Sequence, residues 1–502
     1  MPRQTTAFAL TLPPREPGST AARWLYSALR AAILDGRLGP GTRLPATRDV
    51  ARHYRLSRGT IVAAFEQLKS EGYVEARVGS GTRVAAVLPD RLLEAGRRRH
   101  PRPAEGRSRP LRMSQYSRRV HDPGGADSPR IRAFRTNVPA LDLFPTALWA
   151  QVSARRWRRA STEFLRGCGP MGYPPLQRAV ARYLGASRGV VCEPAQVAIV
   201  SGVQEALDLA TRLLLDPGDI AAMEDPGYLG AARVFESCGA RIAPVPLDEE
   251  GITLGTPLDG ARLVYVTPAH QFPLCMPMSL GRRLALLEWA RGSGALIFED
   301  DYDSEYRYAG RPMPALQGLA RHGQVLFAGS FSKVLFPSLR LGYLVVPPEL
   351  VEPVAAARSL TMRHATLPEQ AVLADFIDGG HFGRHVRRMR EVYAERLGVL
   401  LECAEAELGG HLDVSGVEAG LQTAAWLPAG ADAEAVAHAL SRRQVEVTPI
   451  SRYARRPLKR EGLVLGFAAV DAAEIRRGVR ELGAALRVAF RRPAPHVPAG
   501  GR

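Results

Sequence analysis

Five short apolar runs frame this chain: residues 197–200, 220–223, 263–267, 296–298 and 325–328 are each strand-like, and helical segments separate them. Alternation of that kind leaves few solutions, foremost a parallel sheet covered by helices, an α/β architecture. In such sheets ligands sit beyond the carboxyl ends of the strands, so chemistry is expected directly after each run.

It is found there. After "LIF" come Glu299, Asp300, Asp301 and Tyr302, which put a carboxylate and a phenol at a strand end. A carboxylate facing a pyridine nitrogen keeps it protonated, and a phenol can hydrogen-bond a ring oxygen. Taken alone, the same acids also suit a metal site or a helix cap. After "VLFA" come Gly329, Ser330, Phe331, Ser332 and Lys333, with Arg340 shortly beyond. A lysine can form a Schiff base with an aldehyde, while serine and arginine clamp a phosphate through charge-assisted bonds. After "VAIV", the residues Ser201, Gly202, Val203 and Gln204 lead into the helix "EALDLATRLLL", where backbone amides and the helix dipole favour a phosphate. "EDPGYLGA" places Tyr228 after another run, its face available to stack on a ring. Amine, hydroxyl, guanidinium and helix end are together the anchors that pyridoxal 5'-phosphate (PLP) needs.

A chain of 502 residues, 46% of them hydrophobic, is long enough for at least two domains. Texture divides it into a compact helical start over residues 20–87, an Arg/Pro/Gly stretch over 88–130, the α/β region over 131–490 and a Pro/Gly tail over 491–502. The segment "AGRRRHPRPAEGRSRP" has no apolar periodicity and reads as a solvated linker; the tail reads as disordered. No run of eighteen apolar residues and no signal-peptide pattern is seen, so a cytoplasmic protein without membrane contact is expected. The five cysteines are scattered without CxxC pairs or nearby histidines, which points to no disulfide framework and no metal. Lys and Arg outnumber Asp and Glu by 67 to 50, a net +17 that favours a polyanionic partner without proving one.

The N-terminal region supplies that partner's reader. Leu25, Leu29 and Ile33 recur at helical spacing, and Gly36 stops the helix. Thr47 and Ser57 are each read as an N-cap before a short helix, a helix-turn-helix pattern, and the alternating "YVEARVGSGTRVA" reads as a hairpin wing tipped by Gly79 and Gly81. A recognition helix presents its first turn to base edges and phosphates, which singles out Ser57, Arg58 and Thr60, with Arg48 reaching the backbone. A small helical bundle with solvated arginines is the competing reading of these residues.

The wording "ILDGRLGPGTRLPATRDVARHYRLSRGTIVAAFEQLKSEGYVEARVGSGTRV" resembles the GntR family of winged-helix regulators. "LFPTALW", "GYPPLQRAVARYL", "TPAHQFP", "EDDYDSEYRY" and "GSFSKVLFPSLRLGYLV" resemble fold-type I aminotransferases, and the whole chain is similar to the MocR family, which joins the two. The resemblance implies that Lys333 carries PLP, Asp300 faces its ring nitrogen, Tyr302 its ring oxygen, and Tyr228 stacks on the ring. It also implies that Ser330, Arg340 and the amides of Val203 and Gln204 hold the phosphate, with His270 and Gln271 nearby. A regulator that binds operator DNA and senses PLP or a small amino compound is expected, controlling PLP synthesis or amino-compound catabolism. It would be a homodimer whose heads can reach over the partner, with no physiological turnover. The alternative is an active aminotransferase with an appended DNA-binding domain. Three positions depart from the related sequences: Gly167 stands where tyrosine is usual, Cys275 where glycine is usual, and Val464 where related aminotransferases bind the substrate carboxylate with arginine. Arg452, Arg455 and Arg456 are the candidates to replace that arginine.

Overall fold

The computed structural model describes residues 12–15, 18–77, 81–88, 111–120, 130–310 and 313–491. The chain forms two compact units, Met1–Leu111 and Arg112–Arg502.

In the first unit three helices, α1 (Ala21–Leu34), α2 (Thr47–Tyr54) and α3 (Arg58–Ser70), precede a two-stranded antiparallel hairpin, β1 (Val74–Arg77) and β2 (Gly81–Val84). The periodic face of α1, Leu25, Leu29 and Ile33, is buried against Val50 of α2 and against Ile61, Phe65 and Leu68 of α3. The Ser57 hydroxyl accepts from the Thr60 amide at 3.1 Å, which satisfies one of the amides that a helix start leaves open. Thr47 is the first helical residue rather than the cap: Ala46 holds the cap position and offers no side-chain acceptor. Arg55, at φ 50°, ends α2 in the left-handed conformation and turns the chain toward α3.

The second unit is built on an eight-stranded sheet. Its strands are β3 (Val197–Val200), β4 (Ile220–Asp225), β5 (Arg241–Asp248), β6 (Gly251–Ile252), β7 (Ala261–Val266), β8 (Leu296–Asp301), β9 (Val325–Ser330) and β10 (Gly342–Val345), in spatial order β3-β10-β9-β8-β7-β4-β5-β6. All five apolar runs are strands of this sheet. The sheet is not wholly parallel, however: β10 runs antiparallel to both β3 and β9, and β6 antiparallel to β5. Between β9 and β10 lie only residues 331–341, with the one-turn helix Phe331–Val334 and the 3-10 turn Pro337–Leu339, less than the roughly dozen or more residues that a parallel crossover requires. Gly342 and Gly329 permit the close approach, since a Cβ on Gly342 would lie 2.7 Å from the Gly329 carbonyl oxygen and 3.1 Å from the Gly202 Cα.

A second, four-stranded antiparallel sheet, β11 (Asp413–Val414), β12 (Gln422–Trp426), β13 (Thr448–Pro449) and β14 (Gly462–Gly466), follows the long helix His381–Leu408, with spatial order β11-β12-β14-β13. Gln115–Arg119 is helical, capped by Ser114, and Arg212 of the second unit sits over the Tyr116 ring at 5.6 Å. This cation–π contact is one of those by which the helix packs within the second unit.

Beneath the strand ends lies a buried ionic layer. Arg188 Nε donates to Asp301 at 2.7 Å, with both side chains at least nine-tenths buried, while Glu299 accepts the amides of Leu316 and Gln317 at 2.9 and 3.0 Å. Glu299 therefore caps a short helix and faces away from ligand chemistry.

Candidate ligand pocket and nucleic-acid interface

At the carboxyl ends of the parallel strands a cavity of about 260 Å³ is lined by Val203, Gln204, Tyr228, Asp300, Tyr302, Ser330, Lys333 and Arg340, eight of the nine ligand-site residues singled out in the sequence. They arrive from four strand ends. Gly202, at φ 132°, turns β3 into the helix Val203–Leu214, and no side chain caps that helix. Tyr228 follows β4, Asp300 is the penultimate residue of β8, and Ser330 ends β9 just before the one-turn helix Phe331–Val334 that carries Lys333. Arg340, left-handed at φ 50°, lines the pocket, and among the described residues no carboxylate pairs with it.

Lys333 Nζ donates to the Asn137 carbonyl at 2.8 Å. Asp300 Oδ2 accepts from the Tyr265 hydroxyl at 2.7 Å, while its other oxygen is buried without a hydrogen-bond partner among the described residues. Burial pushes the Asp300 carboxyl up to about 7, the Tyr265 hydrogen bond opposing it. A cationic N–H opposite the unpartnered oxygen would restore the charged form. Gln204 Nε2 donates to the Tyr228 hydroxyl at 2.9 Å and so fixes the plane of that ring. Gly230 leaves room for it, since a Cβ there would fall 2.1 Å from Gln204 Nε2.

The ninth residue, His270, does not line the cavity. It lies behind Tyr302, the two rings stacked at 5.9 Å, with Nδ1 3.1 Å from the Tyr302 hydroxyl and 3.0 Å from Asp303 Oδ2. Burial pulls the imidazole down, but Asp303 and Cys275 push it further up, to about 10 from an ordinary 6.5. Because the folded value is the raised one, His270 stabilises the fold fully below about pH 6.5 and loses that contribution as pH rises through about 10. Urea unfolding at stepped pH should show the stability gap between wild type and His270→Gln largest near about pH 6 and shrinking toward about pH 10. A gap constant over that range would show that the imidazole carries no charge. Gln271 turns away from the cavity and donates to Glu224, Pro226 and Phe272 oxygens.

Asn137, Tyr265, Thr267 and Phe272 also line the cavity and were missed. Tyr265 and Thr267 carried a signal, the two-residue spacing that puts side chains on one face of a strand. Asn137 carried none, being brought in from outside the sheet.

The three departures have structural counterparts. Gly167, at φ 103°, caps the helix Thr162–Arg166, and a Cβ there would lie 2.8 Å from His364 Nε2, so no tyrosine fits this backbone. Cys275 is buried at φ 62°, a conformation suited to the glycine expected there. Val464 is fully buried in an apolar cluster with Ala424 and Ile450. None of the three candidate arginines points into the cavity: Arg452 pairs with Glu434 at 2.6 Å, Arg455 with Glu236 at 2.5 Å, and Arg456 lies 4.0 Å from Asp225.

In the first unit Arg48, Ser57 and Arg58 are exposed around the starts of α2 and α3, and no carboxylate of the described residues pairs with either arginine. Thr60 is half-buried, its hydroxyl 2.8 Å from that of Ser57. Gly81 opens β2 at φ 80°, while Gly79 lies outside the described residues. The sequence reading passed over Arg43 and Arg83. They face each other in an antiparallel bridge that adds a third short strand to the wing, and both are exposed.

Comparison with known proteins places both units. Residues 21–84 match the gntR family of bacterial regulatory proteins and residues 134–482 match aminotransferase class I and II. The chain is 40% identical to a probable rhizopine catabolism regulatory protein, MocR, of Rhizobium meliloti, over 92% of this chain and 93% of the relative. It is 30% identical to the pyridoxine biosynthesis transcriptional regulator PdxR of Corynebacterium glutamicum, over 95% and 98%. Among solved structures it is similar to the alpha-aminoadipate aminotransferase LysN of Thermus thermophilus, complexed with N-(5'-phosphopyridoxyl)-L-leucine, at 29% identity and a TM-score of 0.67 over 75% of this chain and 98% of that one, and to a kynurenine aminotransferase of Pyrococcus horikoshii at 27% identity and a TM-score of 0.66 over 71% and 90%. With the same two units in the same order as these regulators, the chain belongs to the MocR family of transcription regulators, in which a GntR-type DNA-binding domain precedes a PLP-dependent domain of the aminotransferase fold.

Proposed function

We propose that residues 20–87 read an operator in duplex DNA, and that residues 131–490 hold PLP and use it to sense a small amino compound, or PLP itself, without physiological turnover. The observation that carries this is the meeting, in one cavity, of Lys333, the half-partnered Asp300, the unpaired Arg340 and an uncapped helix start. When bound, PLP supplies an aldehyde that takes up amines and a ring that withdraws electrons from them. Lys333 would hold the aldehyde carbon, with its amine steered by the Asn137 carbonyl. Asp300 would face the ring nitrogen, Tyr302 the ring oxygen, and Tyr228 the ring plane. Arg340, Ser330 and the amides of Val203 and Gln204 would take the phosphate. His270 acts through Tyr302.

A ligand alters DNA binding only through different affinity for two states of the protein. The reading therefore requires that an amine bound at the PLP site change operator affinity in the full chain. Trp157, Leu165 and Leu360, 49%, 67% and 88% exposed on the second unit, are apolar surface that a partner subunit would cover, and we take the working form to be a homodimer. Among the described residues no helix is long and apolar enough to cross a membrane, in keeping with action on cytoplasmic DNA.

The DNA half is tested with a duplex that the protein selects from a random pool. Arg58→Ala should weaken binding by about 1–3 kcal/mol, roughly 5- to 150-fold, by fluorescence anisotropy. If the contact is to phosphate, the salt slope should also fall by about one. Unaltered binding would remove Arg58 from the interface. Steady release of a keto acid from an amino donor would turn the second unit from sensor into enzyme.

A further inference from the structure

The charge distribution around the cavity bears on what can enter it. On the Phe272 side the walls are aromatic: the Phe272 ring meets Tyr302 at 6.0 Å, Tyr228 at 5.9 Å and Tyr453 at 4.8 Å. Behind it Leu274 and Tyr453 pack on Ile450 and the fully buried Val464. The three arginines beside Tyr453 are engaged elsewhere, Arg452 by Glu434, Arg455 by Glu236 and Arg456 by the Pro244 carbonyl. Buried acids stand in their place: Glu224, bonded to Thr267 at 2.7 Å, and Asp225, which accepts the Arg455 amide at 2.7 Å.

Among the described residues that line the cavity, only Lys333 and Arg340 are cations. In the reading above both are committed, one to the aldehyde and one to the phosphate. A carboxylate on a ligand would thus leave water for aromatic faces and buried acids, with no cation to compensate it, which is strongly unfavourable. A ligand whose only charge is its amine meets no such penalty, and the rings offer it surface.

We propose that the effector is a primary amine that carries no carboxylate, with an apolar or hydroxyl-bearing body. The inference rests on the assignment of Lys333 and Arg340 to PLP. It is tested by titration calorimetry of the full chain loaded with PLP, using matched pairs that differ by one carboxylate: tyramine against tyrosine, phenethylamine against phenylalanine, ethanolamine against serine. In each pair that binds, the amine should bind at least about tenfold more tightly than the amino acid. Amino acids that bind equally well or better would overturn the proposal and leave the sensor reading intact. A protein that takes up PLP but binds neither member of any pair would overturn the proposal and leave PLP itself as the sensed compound, and one that takes up no PLP would overturn the assignment beneath both. Val464→Arg, checked for folding by circular dichroism, should raise amino-acid affinity and narrow the gap; should that variant misfold, the matched pairs on the wild type still decide.

Discussion

Lys333→Ala should abolish the visible absorbance of lysine-linked PLP and the label that borohydride fixes on the protein. The expectation is unusually sharp because the chain has only three lysines, Lys69, Lys333 and Lys459. Lys69 is exposed near the end of α3, 3.8 Å from Glu66, and Lys459 is exposed on the second unit. Neither lies in a cavity that would hold an aldehyde against water. Lys333 alone combines confinement with a neighbouring carboxyl, hydroxyl and guanidinium. Peptide mapping after reduction should put all of the label on the segment that contains Lys333, and none in the variant. Persistent absorbance with label at another lysine would overturn the assignment. Residual PLP held without a covalent link is compatible with it, because Arg340 and the helix start remain.

Arg188→Ala has the largest expected cost to stability. Arg188 and Asp301 are paired at 2.7 Å with side chains 7% and 3% exposed. Nearby, Glu299 and Glu305 are both pushed up to about 7 by burial. Breaking a buried pair from one side leaves a charge with neither water nor partner, a loss of about 3–5 kcal/mol. Four of the five tryptophans, Trp149, Trp157, Trp289 and Trp426, belong to the second unit, so urea unfolding followed by tryptophan fluorescence reports mainly on it. A loss below about 1 kcal/mol would mean that water reaches the acids and that the pair behaves like a surface one. The double change Arg188→Met with Asp301→Leu should recover much of the loss, since it removes both charges together.

What could be read from the sequence was what is local along the chain. A strand, its turn and the next helix are contiguous, so Asp300, Tyr302, Ser330, Lys333, Val203, Gln204 and Tyr228 each announced themselves at a strand end. The helix-turn-helix was legible for the same reason, with Ser57 capping α3 three residues from Thr60. What escaped depends on contacts between distant segments. The Asn137 carbonyl reaches Lys333 across 196 positions, and Arg188 meets Asp301 across 113. Arg43 joins the wing only because β2 passes beside it. The antiparallel course of β10 turns on the shortness of the connection over residues 331–341, which apolar patterning does not report. His270 lies one layer behind the cavity lining rather than in it, because side-chain direction on an irregular loop follows no period.

The contact of Gly202, Gly329 and Gly342 sets a limit on how this lineage can change. Three codons more than a hundred positions apart at their extremes meet here: a Cβ on Gly342 would lie 2.7 Å from the Gly329 carbonyl oxygen, one on Gly329 would lie 2.2 Å from the Tyr343 hydroxyl, and Gly202 is held at φ 132°. A side chain at Gly342 would meet the backbone of the other two, which no change of their side chains can move aside. Side chains on the aromatic side of the cavity lie under no such backbone constraint, so they can change more freely than the end where Gly202, Gly329 and Gly342 meet.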